Sequence, residues 1–193
     1  ANVLRSILRQ DPNVIMVGEI RDTETANIAV NTALTGHLLL STIHTSDAAT
    51  TLPRLLDMKI EPYLIASTVN IAIGQRLVRK ICENCKSERK ITDLEKKSLA
   101  ETLKTQEAND CKNLFIGKGC GACNQSGYKG RIVIAEVILI DNDIRDAILR
   151  KASASEIKNI AIKNGMTTMS EEGLRKAKRG ETTIEEILRA VHE

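Results

Sequence analysis

The sequence predicts an α/β fold that carries a cysteine-rich module and ends in a helical bundle. Two apolar runs separated by a helical pattern occur early in its 193 residues. Two C-x2-C pairs follow in the middle of the chain, and helical patterns fill the part after residue 140. Apolar runs that alternate with helices are typical of parallel sheets, and paired C-x2-C motifs are typical of metal sites.

A strand, a helix and a second strand are predicted first. Val14–Val17 reads VIMV and ends at Gly18, a pattern typical of a strand buried on both faces of a parallel sheet. Asp22 is placed to cap a helix over residues 23–34, and residues 38–43, LLLSTI, form the second apolar run. Strand, helix and strand within about thirty residues predict a βαβ crossover.

Each predicted strand delivers a polar residue to its carboxyl end. Gly18 and Glu19 follow the first strand, and His44 follows the second. Phosphate and nucleotide sites of open α/β sheets form at this edge, and a carboxylate there can hold Mg²⁺ directly or through water. The alternatives are a surface carboxylate for Glu19 and a hydrogen-bonded structural histidine for His44.

Three arginines belong to the same region. Arg5 and Arg9 lie four residues apart on a predicted helix over residues 2–10, so they share a face. Arg21 follows Glu19 closely. A guanidinium pair can clamp phosphate oxygens bidentately, and the alternative is a solvated or ion-paired helix face.

Cys82, Cys85, Cys120 and Cys123 form two C-x2-C pairs with 34 residues between them. They predict a tetrahedral, structural Zn²⁺ site, because four thiolates leave no open position for water. The gap exceeds the usual spacing of roughly 15 to 20 residues. Disulfides, a thioredoxin-like redox pair and a metal-free cluster are the alternatives. Cys111 is expected as an unpaired thiol in a loop, with capture as an alternative ligand as the second option.

Residues 75–81 and 131–140 are predicted strands that flank the cysteine pairs. The simplest arrangement makes them neighbours, with the cysteine module projecting from their connection as a docking surface. A helix is predicted inside the module over residues 94–103, with Asp93 as its cap.

Helices are predicted after Ile140, and several residues are placed to cap them. The first helix covers residues 144–151 with Asp141 as its cap, and the second ends at Asn164 with Ser153 or Ser155 as its cap. The third covers residues 170–178. The last helix begins with a capping box at Thr182 or Thr183.

Several segments resemble the type II secretion and type IV pilus assembly ATPases. LRQDPNVIMVGEIRD at residues 8–22 is similar to that family's signature, and TGHLLLSTIHTSDA at residues 35–48 is similar to its histidine box. The resemblance continues through QRLVRKICENC, the second cysteine pair and GYKGRIVIAEV, so it covers nearly the whole chain. Asn13 stands where the family commonly has Asp, a change that we expect to be tolerated.

The resemblance implies the C-terminal part of a RecA-like P-loop NTPase core within a homo-hexameric ATPase. Such an ATPase uses ATP and Mg²⁺ and drives pilin or pseudopilin assembly. It is cytoplasmic and peripheral to the inner membrane through partners, which include the inner-membrane platform protein and other secretion or pilus components. Retraction ATPases of the same superfamily lack the four-cysteine module, so the resemblance favours assembly or secretion.

The implied organisation has three parts. Residues 1–81 belong to the ATPase core, and residues 131–140 complete its sheet. Residues 82–130 form the zinc module. Residues 141–193 form a helical domain that contributes to ring contacts or serves packing alone.

The resemblance also implies roles for individual residues. Glu19 matches the Walker B glutamate, which binds Mg²⁺ through water, and Gly18 is the second expected cofactor-binding residue. His44 matches a histidine near the γ-phosphate. The arginines that match residues supporting catalysis or subunit contacts are Arg5, Arg9 and Arg21. His37 is expected to be structural.

The phosphate-binding loop of such ATPases is not found in this sequence. No G-x-x-x-x-G-K-[ST] motif occurs in the 193 residues, and the acidic box with the family's presumed catalytic glutamate is missing too. The chain also begins without Met. We expect the C-terminal half of a longer protein, which alone neither binds ATP tightly nor hydrolyses it and is monomeric or weakly associated.

Composition narrows the function classes. A net charge of +3 and a total of two Tyr, one Phe and no Trp weigh against a zinc ribbon that binds nucleic acid directly. Phosphate binding needs a larger basic excess, and single strands stack on aromatic side chains. A second rival is a structural or regulatory protein with an ATPase-derived fold. No apolar stretch approaches the roughly twenty residues that span a bilayer, so no transmembrane segment is expected.

Overall fold

The computed structural model describes Ser6, Gln10, residues 12–103, Cys111 and residues 113–192. In chain order, the elements are β1 (Val14–Val17), α1 (Thr23–Leu34), β2 (Leu38–Ser41), α2 (Thr51–Asp57), α3 (Pro62–Thr68), β3 (Ile71–Ile81), β4 (Lys86–Lys90), α4 (Asp93–Leu103), β5 (Asn113–Gly117), a 3-10 turn (Gly121–Cys123), β6 (Tyr128–Leu139), α5 (Asn142–Leu149), α6 (Ala154–Lys163), α7 (Met169–Lys178) and α8 (Ile184–His192). Within the described residues, no helix is both long and apolar enough to cross a membrane.

The chain divides into two compact units. The first unit comprises Ala1–Gly74 and Val137–Met166, and the second comprises Gln75–Glu136 and Thr167–Glu193. Helices α5 and α6 therefore belong to the first unit, and α7 and α8 belong to the second.

The first unit contains the predicted βαβ crossover. β1 and β2 pair in parallel with Val17 opposite Ser41, and α1 connects them. Asp22 caps α1 by accepting a hydrogen bond from the Thr25 N–H at 2.7 Å. The predicted helix bounds and the predicted cap are both confirmed.

β1 is covered on one face only. Ile15 is 2% exposed, whereas Val14 and Met16 are 55% and 76% exposed. The expectation that β1 is buried on both faces is wrong for the described residues, because its side chains alternate between a covered face and an open one. β2 ends at Ser41 rather than at residue 43, so His44 lies in the loop that follows.

The core of the first unit lies among its helices and the end of β6. Fully buried side chains in this core include Leu52, Ile65, Ile138, Ile144 and Ile148. Each apolar side chain of this size stabilises the fold by about 1.5–3 kcal/mol when it leaves water.

The caps of α5 and α6 follow the sequence prediction. Asp141 accepts a hydrogen bond from the Ile144 N–H at 2.9 Å and caps α5. Ser153, rather than Ser155, caps α6. A serine at that position can accept from an N–H of the first turn, which leaves one fewer unsatisfied donor.

α4 is capped by Thr92 and not by the predicted Asp93. The Glu95 N–H donates to Thr92 Oγ1 at 3.2 Å, and the Thr92 N–H donates to the Glu95 carboxylate at 2.8 Å. These reciprocal bonds form a capping box. The T-x-x-E spacing was already visible in the sequence, and it accounts for the start of α4 at Asp93.

β3 and β6 pair with each other, which confirms that residues 75–81 and 131–140 are neighbours. In the described part of the chain, β1 and β2 form a separate two-stranded sheet, and the completion of the ATPase-core sheet by residues 131–140 stays a prediction. β3 and β6 contain 11 and 12 residues, and each is long enough to serve as the hydrogen-bonding partner of the other. The assignment of residues 1–81, 82–130 and 141–193 to three functional parts stays a prediction.

The second unit has its own core. β4 and β5 are antiparallel, and the buried side chains include Val78, Leu114, Ile134, Leu174 and Ile187. Cys111 lies outside the helices and strands, as expected, but its thiol is buried in this core at 1% exposure. A Cβ at Gly173 of α7 would lie 2.7 Å from Ile187 Cγ2 of α8, so a larger residue at position 173 would displace the Ile187 side chain.

Glu186 connects α8 to β3 although its side chain is only 2% exposed. Its carboxylate accepts hydrogen bonds from the Arg79 guanidinium at 2.6 Å, the Arg79 N–H at 2.9 Å and the Arg189 guanidinium at 3.1 Å. Burial raises the pKa of Glu186, but these bonds together lower it to about 2. Of the two predicted cap residues, Thr182 and Thr183, it is Thr183 that accepts from the Glu186 N–H at 3.4 Å.

Replacing Glu186 should destabilise the chain. A Glu186→Gln side chain loses the negative charge and places its NH2 group opposite at least one of the three donors, so we expect the free energy of unfolding to fall by about 1–3 kcal/mol in urea titrations. Glu185→Gln is the matched control, because Glu185 is 61% exposed and meets Arg89 only at 3.6 Å. Equal losses in the two variants would contradict this account.

The same carboxylate predicts how stability depends on pH. The folded-state pKa of Glu186, about 2, lies below its ordinary value of 4.5, so its contribution is complete above pH 4.5 and is lost as the pH falls from there towards 2. We expect acid titrations followed by circular dichroism to show a weaker loss in Glu186→Gln than in the unmodified chain. Parallel acid-titration curves for the two proteins would contradict this contribution of Glu186.

Candidate functional site

The candidate site lies at the carboxyl edge of β1 and β2. Val17 and Ser41 end the paired register, and two further bonds continue the alignment. The Ile20 N–H donates to the Thr42 carbonyl at 2.9 Å, and Thr42 Oγ1 donates to the Gly18 carbonyl at 2.6 Å. The side chains that follow the two strands are therefore brought to one place.

Glu19 contacts two of the predicted site residues. Its Oε2 lies 2.8 Å from His44 Nε2, and its Oε1 lies 2.5 Å from Arg21 Nη2. The side chains of Glu19, His44 and Arg21 are 32%, 81% and 71% exposed. The cluster is therefore assembled within the chain and open to a ligand from solvent.

The carboxylate of Glu19 is ionised at neutral pH. The hydrogen bond from Arg21, followed by the one from His44, holds the pKa of Glu19 below its ordinary range. Because an ionised carboxylate can only accept hydrogen bonds, Nε2 of His44 carries the proton in this contact. A charged carboxylate oxygen at this edge fits the preference of Mg²⁺ for hard oxygen ligands.

Arg54 adds a positive charge that the sequence analysis missed. It lies on α2, is exposed, and lines a pocket of about 250 Å³ together with Arg21 and His44. In the sequence, Arg54 reads as an ordinary exposed position of a short helix, and nothing local links it to His44. Two guanidinium groups around one pocket favour an anionic ligand.

The remaining predicted residues fall into separate places. Arg5 and Arg9 lie outside the described residues. His37 precedes β2 whereas His44 follows it, and His37 Nδ1 lies 3.1 Å from Thr35 Oγ1. Gly18 contributes its carbonyl to Thr42, and a Cβ at Gly18 would meet nothing within 4 Å.

The four predicted zinc ligands come together in the second unit. The Sγ–Sγ distance is 3.8 Å between Cys82 and Cys120, 3.9 Å between Cys85 and Cys123, and 3.7 Å between Cys120 and Cys123. Thiolates about 2.3 Å from a tetrahedral Zn²⁺ would lie about 3.8 Å apart. All four Sγ atoms lie within 4.8 Å of one another, so the donor set fits Zn²⁺.

Both C-x2-C pairs are shaped by the same backbone turn. The Cys85 N–H donates to the Cys82 carbonyl at 3.2 Å, and the Cys123 N–H donates to the Cys120 carbonyl at 3.2 Å. Cys123 Sγ also accepts hydrogen bonds from the N–H groups of Cys120 and Gly127 at 3.2 and 3.3 Å. Two equivalent turns thus present their thiols to a common centre.

The environment of the cluster favours a thiolate at one position. Burial raises the pKa of Cys123, but hydrogen bonds from the backbone N–H groups of Cys120 and Gly127 and from neighbouring thiols lower it to about 6. Thiolates, not thiols, are the form that binds a metal ion. Cys111 is not one of the four clustered thiols, and its Sγ lies 3.6 Å from the Asn113 carbonyl.

Two glycines hold the second cysteine loop against β5. A Cβ at Gly117 would lie 2.0 Å from the Gly127 carbonyl oxygen, and a Cβ at Gly127 would lie 2.5 Å from the Gly117 carbonyl oxygen. The two backbones can approach this closely only where both residues lack a side chain. The Gly127 carbonyl in turn accepts from the Cys82 N–H at 2.9 Å, which joins the two cysteine pairs.

Two solved structures have a similar fold. The pilus retraction motor PilT with bound ADP matches with a TM-score of 0.65 and 25% identity, over 98% of this chain and 43% of that one. The ATPase DotB of Legionella pneumophila matches with a TM-score of 0.62 and 22% identity, over 98% of this chain and 41% of that one. Both matches support the predicted mixed α/β fold of the RecA-like P-loop class. The match to DotB, at 22% identity, shows the fold alone.

Sequence comparison identifies the family. This chain is 47% identical over 192 residues to the type IV pilus assembly ATPase PilB of Thermus thermophilus, covering 97% of this chain and 21% of that protein. It is 47% identical over 193 residues to the type II secretion system protein E of Xanthomonas campestris pv. campestris, covering 100% of this chain and 34% of that protein. The chain thus spans between a fifth and about a third of these relatives. A family model described as type II/IV secretion system protein matches residues 1–189, and the chain belongs to that family.

Proposed function

We propose that the protein containing this chain is an ATPase that drives pilin or pseudopilin assembly in type IV pilus biogenesis or type II secretion. The observation that carries the proposal is the contact of Glu19 with His44 and Arg21 at the carboxyl edge of two parallel strands. This is the edge at which α/β sheets bind phosphates. The relatives at 47% identity that bear the names pilus assembly ATPase and secretion protein E support the choice of reaction and process.

Glu19 is the residue proposed to hold Mg²⁺ through water. When bound with ATP, Mg²⁺ neutralises charge on the phosphate groups. Arg21 and His44 orient the Glu19 carboxylate by occupying one oxygen each, and the exposed edges of Arg21 and His44 face solvent, where an anion is able to reach them. Arg5 and Arg9 are proposed to support catalysis or subunit contacts.

The chain is proposed to supply only part of the ATP site. Its 193 residues contain no G-x-x-x-x-G-K-[ST] motif, and phosphoryl transfer depends on a phosphate-binding loop, Mg²⁺ and a positioned water together. We infer that the chain alone neither binds ATP tightly nor hydrolyses it.

The proposed assembly is a homo-hexamer that acts at the cytoplasmic face of the inner membrane. Its proposed partners are the inner-membrane platform protein and other secretion or pilus components, and direct nucleic-acid binding is not proposed. Relatives named secretion system protein or pilus assembly ATPase support a role in such a machinery. The four-cysteine cluster supports assembly or secretion over retraction.

The four-cysteine cluster is proposed to hold a structural Zn²⁺. The thiols of Cys82, Cys85, Cys120 and Cys123 stand at distances suited to a tetrahedral site. Zn²⁺ would cross-link the two turns and stabilise the fold. It would not act in catalysis, because the four thiolates leave no coordination position open for water or substrate.

The first test is ATP hydrolysis by the full-length protein. Glu19→Gln keeps the size of the side chain but removes the charge proposed to act on Mg²⁺, so we expect kcat to fall about 100-fold. Glu61→Gln is the matched control, because Glu61 is exposed and makes no side-chain cap bond at the start of α3. A folded Glu19→Gln variant with the kcat of the control would refute the role of Glu19, and an unmodified protein without ATPase activity would refute the proposed function.

The second test is the metal content of the purified protein. We expect one Zn²⁺ per chain by elemental mass spectrometry, a loss of Zn²⁺ and a lower melting temperature in Cys82→Ser, and full retention in Cys111→Ser. Cys82 and Cys111 are similarly buried, at 2% and 1% exposure, so the comparison isolates ligation from burial. Less than about half an equivalent of Zn²⁺ in carefully prepared protein would count against the four-thiolate site.

A further inference from the structure

The segment that follows His44 is a closed turn, and we call residues 45–51 the histidine turn. Thr45 Oγ1 donates to the Asp47 carbonyl at 3.1 Å and lies 3.1 Å from Thr51 Oγ1. Thr50 Oγ1 also donates to the Asp47 carbonyl, at 2.9 Å. These bonds give the turn a fixed shape and connect His44 to the start of α2.

The histidine turn is tied to a distant helix through Asp47. Asp47 Oδ1 accepts from the Thr50 N–H at 2.9 Å, and Asp47 Oδ2 lies 3.1 Å from Lys158 Nζ. Lys158 belongs to α6, which is 111 residues away in the chain but lies in the same compact unit. One carboxylate oxygen thus accepts a hydrogen bond within the turn, and the other forms an ion pair with Lys158 of α6.

This ion pair is more than a pair of solvated surface charges. The side chains of Lys158 and Asp47 are 35% and 24% exposed, so both are largely covered. The neighbouring residue Ile157 is 0% exposed and packs in the core of the first unit. Lys158 therefore extends from a helix whose own position is fixed, which gives Asp47 a rigid partner.

Apart from its hydrogen bond to Glu19, His44 depends on its backbone for its position. Its side chain is 81% exposed, so packing contributes little to where the imidazole stands. On one side the backbone is held by β2 and by the bond of Thr42 to Gly18. On the other side it is held by the histidine turn, and thus by Lys158.

We propose that Lys158 is a positioning residue for His44, and that the ion pair of Lys158 with Asp47 sets the distance between His44 and Glu19. The inference rests on the proposed function for its effect on catalysis. Both oxygens of Asp47 are already engaged within the protein, so Asp47 and Lys158 act on the geometry of the site rather than on the nucleotide.

The test uses the full-length protein and the variants Lys158→Met, Lys158→Arg and Lys163→Met. Lys163 is the matched control, because it lies on the same helix in its exposed last turn. We expect Lys158→Met to lower kcat about fivefold while KM for ATP stays within about twofold. Lys158→Arg should restore most of the loss, and Lys163→Met should behave like the unmodified protein.

A double-mutant cycle tests whether the effect passes through Asp47. Asp47→Asn keeps an oxygen for the Thr50 N–H but removes the charge opposite Lys158. We expect Asp47→Asn, Lys158→Met and the double variant to lose the same factor in kcat, because each breaks the same pair. Independent, multiplying losses would overturn the proposal.

Hydrogen exchange of the same proteins gives a readout that does not need activity. In Lys158→Met, amides of residues 44–51 should exchange faster, while those of β4 and β5 stay unchanged. If the unmodified protein lacks ATPase activity, the proposed function fails and the exchange data alone decide whether Lys158 holds the turn. If Lys158→Met unfolds the first unit, kcat and hydrogen exchange of Asp47→Asn decide whether the ion pair positions His44. Equal kcat and equal exchange in Lys158→Met and Lys163→Met would overturn the inference.

Discussion

The parallel pairing of β1 with β2 is the constraint on which the candidate site depends. Glu19 and His44 are 25 residues apart in the chain, and they meet at 2.8 Å only because the two strands run in the same direction and end at the same edge. The hydrogen bond from Thr42 to the Gly18 carbonyl continues that alignment beyond Val17 and Ser41, the last paired residues of the two strands. A register shift of one residue would turn the side chains to the opposite face and separate the carboxylate from the imidazole.

The second unit is organised by short turns and one buried carboxylate. Each C-x2-C pair makes its own turn, and the hydrogen bond from the Cys82 N–H to the Gly127 carbonyl joins the two pairs. Glu186 binds β3 to α8 through three hydrogen bonds. In both cases polar groups determine the geometry, while the apolar core of the unit includes Leu114 and Ile187.

Local signals predicted most helix caps, and a few contacts between distant residues were also predicted, whereas others left no signal in the sequence. Asp22, Asp141 and Ser153 cap their helices as the sequence indicates, because a cap depends on the next three residues only. The pairing of β3 with β6 was expected from the two predicted strands that flank the cysteine pairs, whereas the one-sided burial of β1 depends on which surfaces meet in space. Spacing alone found the four clustered cysteines, whereas Arg54 and the ion pair of Lys158 with Asp47 bear no periodic pattern.

In the proposed function, the edge after β1 and β2 faces the phosphates of ATP. A structure of the full-length protein with Mg²⁺ and a non-hydrolysable ATP analogue would show where the nucleotide binds. We expect the Glu19 carboxylate to contact Mg²⁺ directly or through one water, with the His44 ring beside the terminal phosphate. A nucleotide bound at another surface, with Glu19 and His44 beyond the reach of a bridging water, would contradict it.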